Sequence, residues 1–226
     1  MRPCLSVIVP TLNEADGIAA HLGALQRVRE QGGEVVVVDG GSTDATVQTA
    51  RPLADLVLLA NRGRAAQMNA GAKVARGDIL LFLHADTRLP SDAVETVQRV
   101  LADGRPAWGR FDVKINSKHR LLRVVAWCMN LRSRLTGVAT GDQAFFVRRN
   151  LFEAAGAFPE LALMEDVALS KILKCTAPPI CLRTRVITSG RRWEAKGVVR
   201  TILLMWLLRF GYWLGCNPAL LARFYA

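Results

Sequence analysis

Three apolar runs in the first hundred residues end abruptly at polar side chains. Leu5 to Val9 leads into Thr11, Asn13 and Glu14, Glu34 to Val38 leads into Asp39, and Ile79 to Leu83 leads into His84 and Asp86. Near-continuous Val, Ile and Leu runs are the mark of strands covered on both faces. Between them lie helix-like stretches at Asp16 to Glu30, Asp44 to Ala50 and Ala65 to Val74, with a further strand at Leu56 to Leu59. Ser91 opens another helix that runs to Leu101, with Asp92 in its first turn where the helix dipole favours an acid. This alternation predicts right-handed βαβ units, an α/β fold with a mainly parallel, mixed sheet flanked by helices.

Beyond Pro106 the pattern loosens. Strands are expected at Trp108 to Val113 and Gln143 to Val147, a basic amphipathic stretch at Leu121 to Leu135, and a helix at Val167 to Leu173. No internal repeat or long linker divides the chain, so 226 residues read as one domain over 1–195 with a C-terminal tail over 196–226. The tail holds the most hydrophobic segment, Val198 to Gly215, but Arg200 and Arg209 bound an uncharged run of only eight residues. Spanning a membrane takes about 20 apolar residues. The segment therefore suits either a hydrophobic, basic helix lying in the membrane interface or an amphipathic helix packed on the domain or on a second subunit.

The formal charge of +11 changes this picture because it is local. Fifteen of the 30 Lys and Arg residues fall in Arg110 to Arg134 and Arg183 to Ala226, where the only acids are Asp112 and Glu194. Such patches attract anionic lipid, phosphorylated ligands or nucleic acid, or simply form a solvated face. The five cysteines have no zinc-like spacing, and the first residues lack the three-part form of a signal peptide, so reduced thiols in the cytoplasm are the expectation.

In an open α/β sheet, ligands bind beyond the carboxyl ends of the strands. Three strands ending in acids or amides point to one shared polar site there. After Asp39, the glycines of Gly40-Gly41-Ser42-Thr43-Asp44 allow a close backbone approach, and Ser42, Thr43 or Asp44 can cap the following helix. The dinucleotide spacing GxGxxG and the phosphate loop GxxxxGK[ST] are both absent, which disfavours a nicotinamide dehydrogenase. Asp86, with His84 two residues earlier, can bind a divalent cation that bridges diphosphate oxygens, since Mg²⁺ uses one or two carboxylates plus substrate phosphates. Taken alone, Asp86 is also a turn cap, His84 a core histidine, and Glu165-Asp166 a pair at a helix start.

Taken together, the stretches PTLNE at Pro10 to Glu14, DGGSTD at Asp39 to Asp44, GRAAQMN at Gly63 to Asn69, HAD at His84 to Asp86, TGDQAFFVRR at Thr140 to Arg149 and MEDVALS at Met164 to Ser170 resemble successive landmarks of the family-two inverting glycosyltransferases of the GT-A type. The resemblance covers residues 5 to about 195. In form it is nearest to compact bacterial members described as carotenoid-acid or arsenosugar glycosyltransferases.

That resemblance implies a role for each matching residue. Thr11, Asn13, Glu14, Asp39 and Gly41 would surround the nucleotide, Arg64 the base or diphosphate, and His84 and Asp86 would occupy the DxD position, with Asp86 as the ligand of Mn²⁺ or Mg²⁺. Asp166 of the ED pair would be the general base. Gly141, Asp142, Glu165 and the Arg191-Arg192-Trp193 element would face the acceptor or the diphosphate. The implied activity is metal-assisted transfer of a sugar from a nucleotide-sugar, most commonly a UDP-sugar, to an acceptor hydroxyl with inversion. A lipid-linked or amphiphilic acceptor and peripheral contact with the inner face of the cell membrane fit the basic tail.

Two positions depart from the family pattern. His84 stands for the first acid of DxD and Gly40 for the second acid of DDGSTD. The rival readings are a nucleotidyltransferase, which would carry a glycine-rich basic loop where this chain has PTLNE, and a non-catalytic membrane or nucleic-acid adaptor. Acids gathered at three strand ends would repel a polyanion, so nucleic acid is not an expected partner.

Overall fold

The computed structural model describes residues 4–105 and 107–225. Its centre is an eight-stranded mixed sheet made of β1 (Leu5–Thr11), β2 (Glu34–Asp39), β3 (Leu56–Leu59), β4 (Ile79–Phe82), β5 (Thr87–Arg88), β6 (Trp108–Asn116), β7 (Phe145–Arg148) and β8 (Ile180–Ser189), in the order β3-β2-β1-β4-β7-β6-β8-β5. The first four strands in this order are parallel, and β7 enters antiparallel between β4 and β6. The sheet is thus the expected parallel βαβ half extended by a mixed half.

Why the runs are continuously apolar is visible in the two cores. Val7, Val9, Val35, Val37, Ile79 and Leu81 face α1 (Ala15–Ala24), α2 (Gln26–Glu30), α3 (Thr46–Ala50) and α5 (Ala93–Val100). The intervening Ile8, Val36, Val38, Leu80 and Phe82 face α4 (Arg64–Val74), α7 (Arg149–Ala154) and α8 (Glu165–Leu173). Alternate side chains point to opposite faces, and both faces are covered, so the strand interiors are apolar apart from Ser6, whose buried hydroxyl donates to the Glu34 carboxylate at 2.5 Å.

Four differences from the expected elements have local causes. The helix expected at Asp16 to Glu30 breaks at Leu25, whose N–H bonds back to Leu22 O at 3.0 Å. The strand expected from Gln143 begins at Phe145, because Gly141–Gln143 forms a 3₁₀ turn locked by a reciprocal capping box between Thr140 and Gln143. The strand β8 was not expected, since its outward positions Arg183 and Arg185 are basic and interrupt the apolar signal. The two-residue β5 and the six-residue helix α7 are too short for periodicity to reveal.

Part of the basic segment at Arg110 to Arg134 proves structural instead of solvated. Arg110 is fully buried and pairs with Asp112, while its guanidinium also donates to Ser133 Oγ at 3.0 Å and Asn130 O at 3.0 Å. Arg134 adds a 2.7 Å bond to the same Asp112. These bonds fix α6 (Arg120–Thr136) to β6.

The C-terminal segment folds back onto the domain. After α9 (Arg191–Lys196) come α10 (Val198–Trp213) and α11 (Pro218–Tyr225). Leu208 and Leu221 pack with Leu163 and Met164 in a third apolar cluster, which seats both helices beside the start of α8. Among the described residues no helix is long and apolar enough to cross a membrane.

Candidate active site

A cavity of about 360 Å³ opens at the carboxyl ends of β1 and β4. A crevice of about 60 Å³ adjoins it and shares Arg64, His84, Asp142, Met205 and Tyr225. The predicted site residues Thr11, Glu14, Arg64, His84, Asp86, Asp142, Arg192 and Trp193 line the cavity. Gly141, Glu165 and Asp166 line the crevice.

Asn13, Asp39, Gly41 and Arg191 stand outside both linings. Asp39 is fully buried and spends its carboxylate on its own turn, accepting from Gly41 N at 2.8 Å, Ser42 N at 2.7 Å and the Ser42 hydroxyl. Gly41 has φ of +91°, which suits glycine at the tip of that turn. Asn13 laces the β1 and β2 loops together, accepting from Thr43 N at 2.9 Å while its own N–H donates to Ser42 Oγ at 2.8 Å. Arg191 is exposed and donates to Ser189 Oγ at 3.2 Å. These residues build the wall that other residues use.

The departure at Gly40 has a steric explanation. A Cβ there would lie 3.1 Å from the Gln67 side chain. Gln67 is buried and donates to both Thr11 O and Val38 O at 2.8 Å, tying the ends of β1 and β2 together. Gln67 lies within the GRAAQMN stretch, so its motif was visible although its role was not. Thr188 and Ser189 of β8, Thr201 and Met205 of α10, and Tyr225 of α11 also line the cavity, and nothing in their sequence context marked them.

His84 sits with its Nδ1 3.3 Å from Asp142 Oδ1. The Asp142 side chain is 40% exposed and lines both the donor cavity and the crevice. Desolvation there raises its pKa, and His84, Arg64 and Arg192 outweigh this and hold the carboxyl below its ordinary range. The turn carrying Asp142 is held hard, with the capping box before it and Ala144 at φ +48° after it.

Asp166 lies in the first turn of α8, where its Oδ2 accepts from Gly141 N at 2.8 Å and its Oδ1 from Val167 N at 2.7 Å. Beside it Glu165 is buried, and desolvation with the Asp166 charge pushes its carboxyl upward against the opposing pull of Arg64. Desolvation by the cavity walls opposes the charge of Arg64, which stays exposed to the open cavity, but Tyr225, Glu165, Asp142 and Asp166 reverse the balance and keep its guanidinium firmly charged. Arg192 stacks 3.8 Å from the Tyr225 ring centre and donates to Tyr225 O at 2.7 Å, so α9 and α11 close one side of the cavity together.

Burial, then the charge of Asp86, raises the Glu14 carboxyl. Two oxygen donors that repel each other across an open cavity fit a hard divalent cation, which takes one or two carboxylates and completes its shell with phosphate oxygens and water. Among the described residues no three His, Cys, Asp or Glu side chains converge on one point. A cation bound here would draw its remaining ligands from substrate and solvent.

A family model described as "Glycosyl transferase family 2" matches residues 6–153. The "PGL/p-HBAD biosynthesis glycosyltransferase" of Mycobacterium tuberculosis (strain H37Ra) is 33% identical over 169 residues, covering 69% of this chain and 63% of that protein. The "Undecaprenyl-phosphate 4-deoxy-4-formamido-L-arabinose transferase" of Pseudomonas fluorescens is 29% identical over 167 residues, covering 66% of this chain and 48% of that one. The chain thus spans between about half and just under two thirds of these curated relatives. Among solved structures, mannosyltransferase PcManGT from Pyrobaculum calidifontis, in complex with GDP-Man and Mn²⁺, aligns with a TM-score of 0.62 at 27% identity over 83% of this chain and 57% of that one. S. aureus TarS 1-349 in complex with UDP-GlcNAc aligns at 0.67 and 22% identity over 82% of this chain and 58% of that one, a likeness of fold.

Proposed function

The chain belongs to glycosyl transferase family 2, and on that premise we propose that it moves a sugar from a nucleotide-sugar donor to an acceptor hydroxyl with inversion at the anomeric carbon. The observation that carries this reading is the junction of two openings: a cavity holding Asp86, Glu14, Arg64 and Arg192, and a crevice holding Asp166. A diphosphate fits the first and an acceptor hydroxyl the second. PcManGT holds GDP-Man with Mn²⁺, which supports a donor of the same class here. A UDP-sugar is the expectation from the family.

Asp86, with Glu14 beside it, would hold Mn²⁺ or Mg²⁺. Bound there, the cation would neutralise charge growing on the departing diphosphate. Arg64 and Arg192 direct guanidinium donors at the same oxygens, and the planar fork of arginine matches phosphate geometry. Asp166 takes the acceptor proton, and its two amide donors, Gly141 N–H and Val167 N–H, set the direction of the carboxylate. The acceptor oxygen attacks the anomeric carbon on the face opposite the diphosphate. The bond from that carbon to the diphosphate oxygen breaks, and its electron pair leaves with the nucleoside diphosphate.

The Pseudomonas relative is named for an undecaprenyl-phosphate substrate, which supports a lipid-linked acceptor and peripheral attachment at the inner face of the cell membrane. Incubation with a panel of nucleotide-sugars and membrane lipid extract tests the reading. Release of free nucleoside diphosphate that depends on Asp86 is expected. No nucleoside diphosphate from any nucleotide-sugar, with pyrophosphate released instead from a nucleoside triphosphate and a sugar phosphate, would identify a nucleotidyltransferase.

A further inference from the structure

Next to the donor cavity, an opening of about 470 Å³ runs between α6 and α10. Its walls are apolar, with Val124, Val125 and Met129 on one side and Ile202 and Trp206 on the other. It is continuous with the site already described, because Asp142, Trp193 and Met205 line both it and the donor cavity. Outward it meets an exposed apolar face on which Trp206 is 75% exposed and Trp213 74% exposed.

Two arginines, with the Asp142 carboxylate at the end shared with the donor cavity, are the charged groups of this largely apolar groove. Arg132 comes from α6 and Arg209 from α10, and Arg209 also lines the crevice of Asp166. The Nε and Nη2 of Arg132 and the Nε of Arg209 are buried without a hydrogen-bond partner. Unpaired buried donors are costly, more so when charged. The Nε and Nη2 atoms of Arg132 form the edge of a guanidinium that grips two oxygens of one oxyanion. Burial, aided by Arg110, lowers the pKa of Arg132 while Asp166 opposes this, as expected of a desolvated cation short of a partner.

We infer that the acceptor is an anionic lipid whose chain lies between α6 and α10 and whose head-group phosphate sits on Arg132 and Arg209. This rests on the transfer reaction proposed above. A lipid phosphate carries one negative charge as a diester and up to two as a monoester, either of which meets the unpaired donors of two guanidinium groups, and an apolar chain fills walls that a free phosphate would leave wet. The head group then reaches Asp166, which takes the proton of its hydroxyl. The hydroxyl oxygen bonds to the anomeric carbon as the nucleoside diphosphate departs with the electron pair of the broken bond. The exposed apolar face beside the groove is where such a lipid would arrive from a membrane surface.

The test uses dodecyl phosphate, dodecanol and inorganic phosphate as probes below their aggregation limits, followed by intrinsic fluorescence, in which Trp193 and Trp206 of the groove are two of the five tryptophans. Dodecyl phosphate should bind about tenfold more tightly than either other probe, the factor expected from one charge-assisted bidentate contact. Arg132→Gln combined with Arg209→Gln should bring it down to the level of dodecanol. Val124→Glu, at a position 55% exposed and so safe for folding, should weaken both chain-bearing probes. Equal binding of dodecanol and dodecyl phosphate would overturn the phosphate contact, and equal binding of inorganic phosphate would overturn the chain groove. A dimer in sedimentation velocity that Val124→Glu dissociates would reassign the groove to a second copy of the chain. Donor-dependent thermal stabilisation is read in the same samples. If it were absent while the probes still discriminated, the transfer reaction would fall and the lipid site would stand.

Discussion

The Gly141 N–H donates a 2.8 Å hydrogen bond to the Asp166 carboxylate, and a Cβ added to Gly141 would lie 2.3 Å from His84 Nε2. Gly141 is therefore the point where the proposed base and the histidine of the HAD segment meet. A glycine is needed there for close approach, and the approach aims the base.

Asp166→Asn keeps the shape of the side chain and removes its ability to take a proton. Turnover should fall by roughly 10² to 10⁴, the usual contribution of general-base help, with donor affinity unchanged. Steady-state transfer rates alongside donor titrations check this. Turnover close to wild type would remove Asp166 from the chemistry.

Gly141→Ala forces the His84 ring or the turn to move, because contacts that short do not occur. Transfer should drop sharply while the melting temperature shifts little. Adding His84→Ala should restore part of the lost activity by clearing the space. A double variant no better than Gly141→Ala would show that the turn, and not the ring, is what the methyl group displaces.

Much of this arrangement was legible in the sequence, and the reasons differ by region. The parallel half announced itself because Val7, Val35 and Ile79 and their neighbours are buried on both faces, leaving unbroken apolar runs that end at polar groups. His84, Asp86 and Asp166 could be placed because motifs carry them. Asp39 and Asn13 hold the loops beside the cavity and stand outside its lining, a placement that sequence does not reveal because an acid or amide at a strand end looks the same whether it faces a ligand or closes its own turn. β8 was hidden by Arg183 and Arg185 on its outward positions. The lining from Thr201, Met205 and Tyr225 depends on α10 and α11 folding back, a long-range event with no local signature.

His21 is buried with its Nε2 unpartnered. Burial, then the charge of Arg88, lowers its pKa from 6.5 to about 4. Between these values the unfolded chain takes up a proton that the folded chain refuses, so stability falls as pH drops through this window and is intact above it. The full shift corresponds to roughly 3 kcal/mol. Urea unfolding at several pH values should show this slope in the wild type and a flatter one in His21→Leu. Equal slopes would mean that His21 is already protonated in the fold.

Arg149 donates to the carbonyls of Ala72, Ala75 and Gly77 at 2.7 to 2.9 Å, so its guanidinium closes the end of α4 behind the donor cavity. Arg149→Ala leaves these acceptors without their charged donor and should cost about 3 kcal/mol, in the range of a lost charged hydrogen-bond group. Chemical denaturation measures it. A loss below about 0.5 kcal/mol would show that water replaces the guanidinium at no cost.

The most direct test of the assignment is donor binding at Asp86. Purified protein should be stabilised against heat by one series of nucleoside diphosphates and nucleotide-sugars in the presence of Mn²⁺ or Mg²⁺, by about 2.7 kcal/mol at 100 times the dissociation constant. Asp86→Asn should abolish the metal-dependent part and leave the unliganded melting temperature in place. No stabilisation by any nucleotide, or full stabilisation retained in Asp86→Asn, would contradict the account of this cavity as a metal-assisted nucleotide-sugar site.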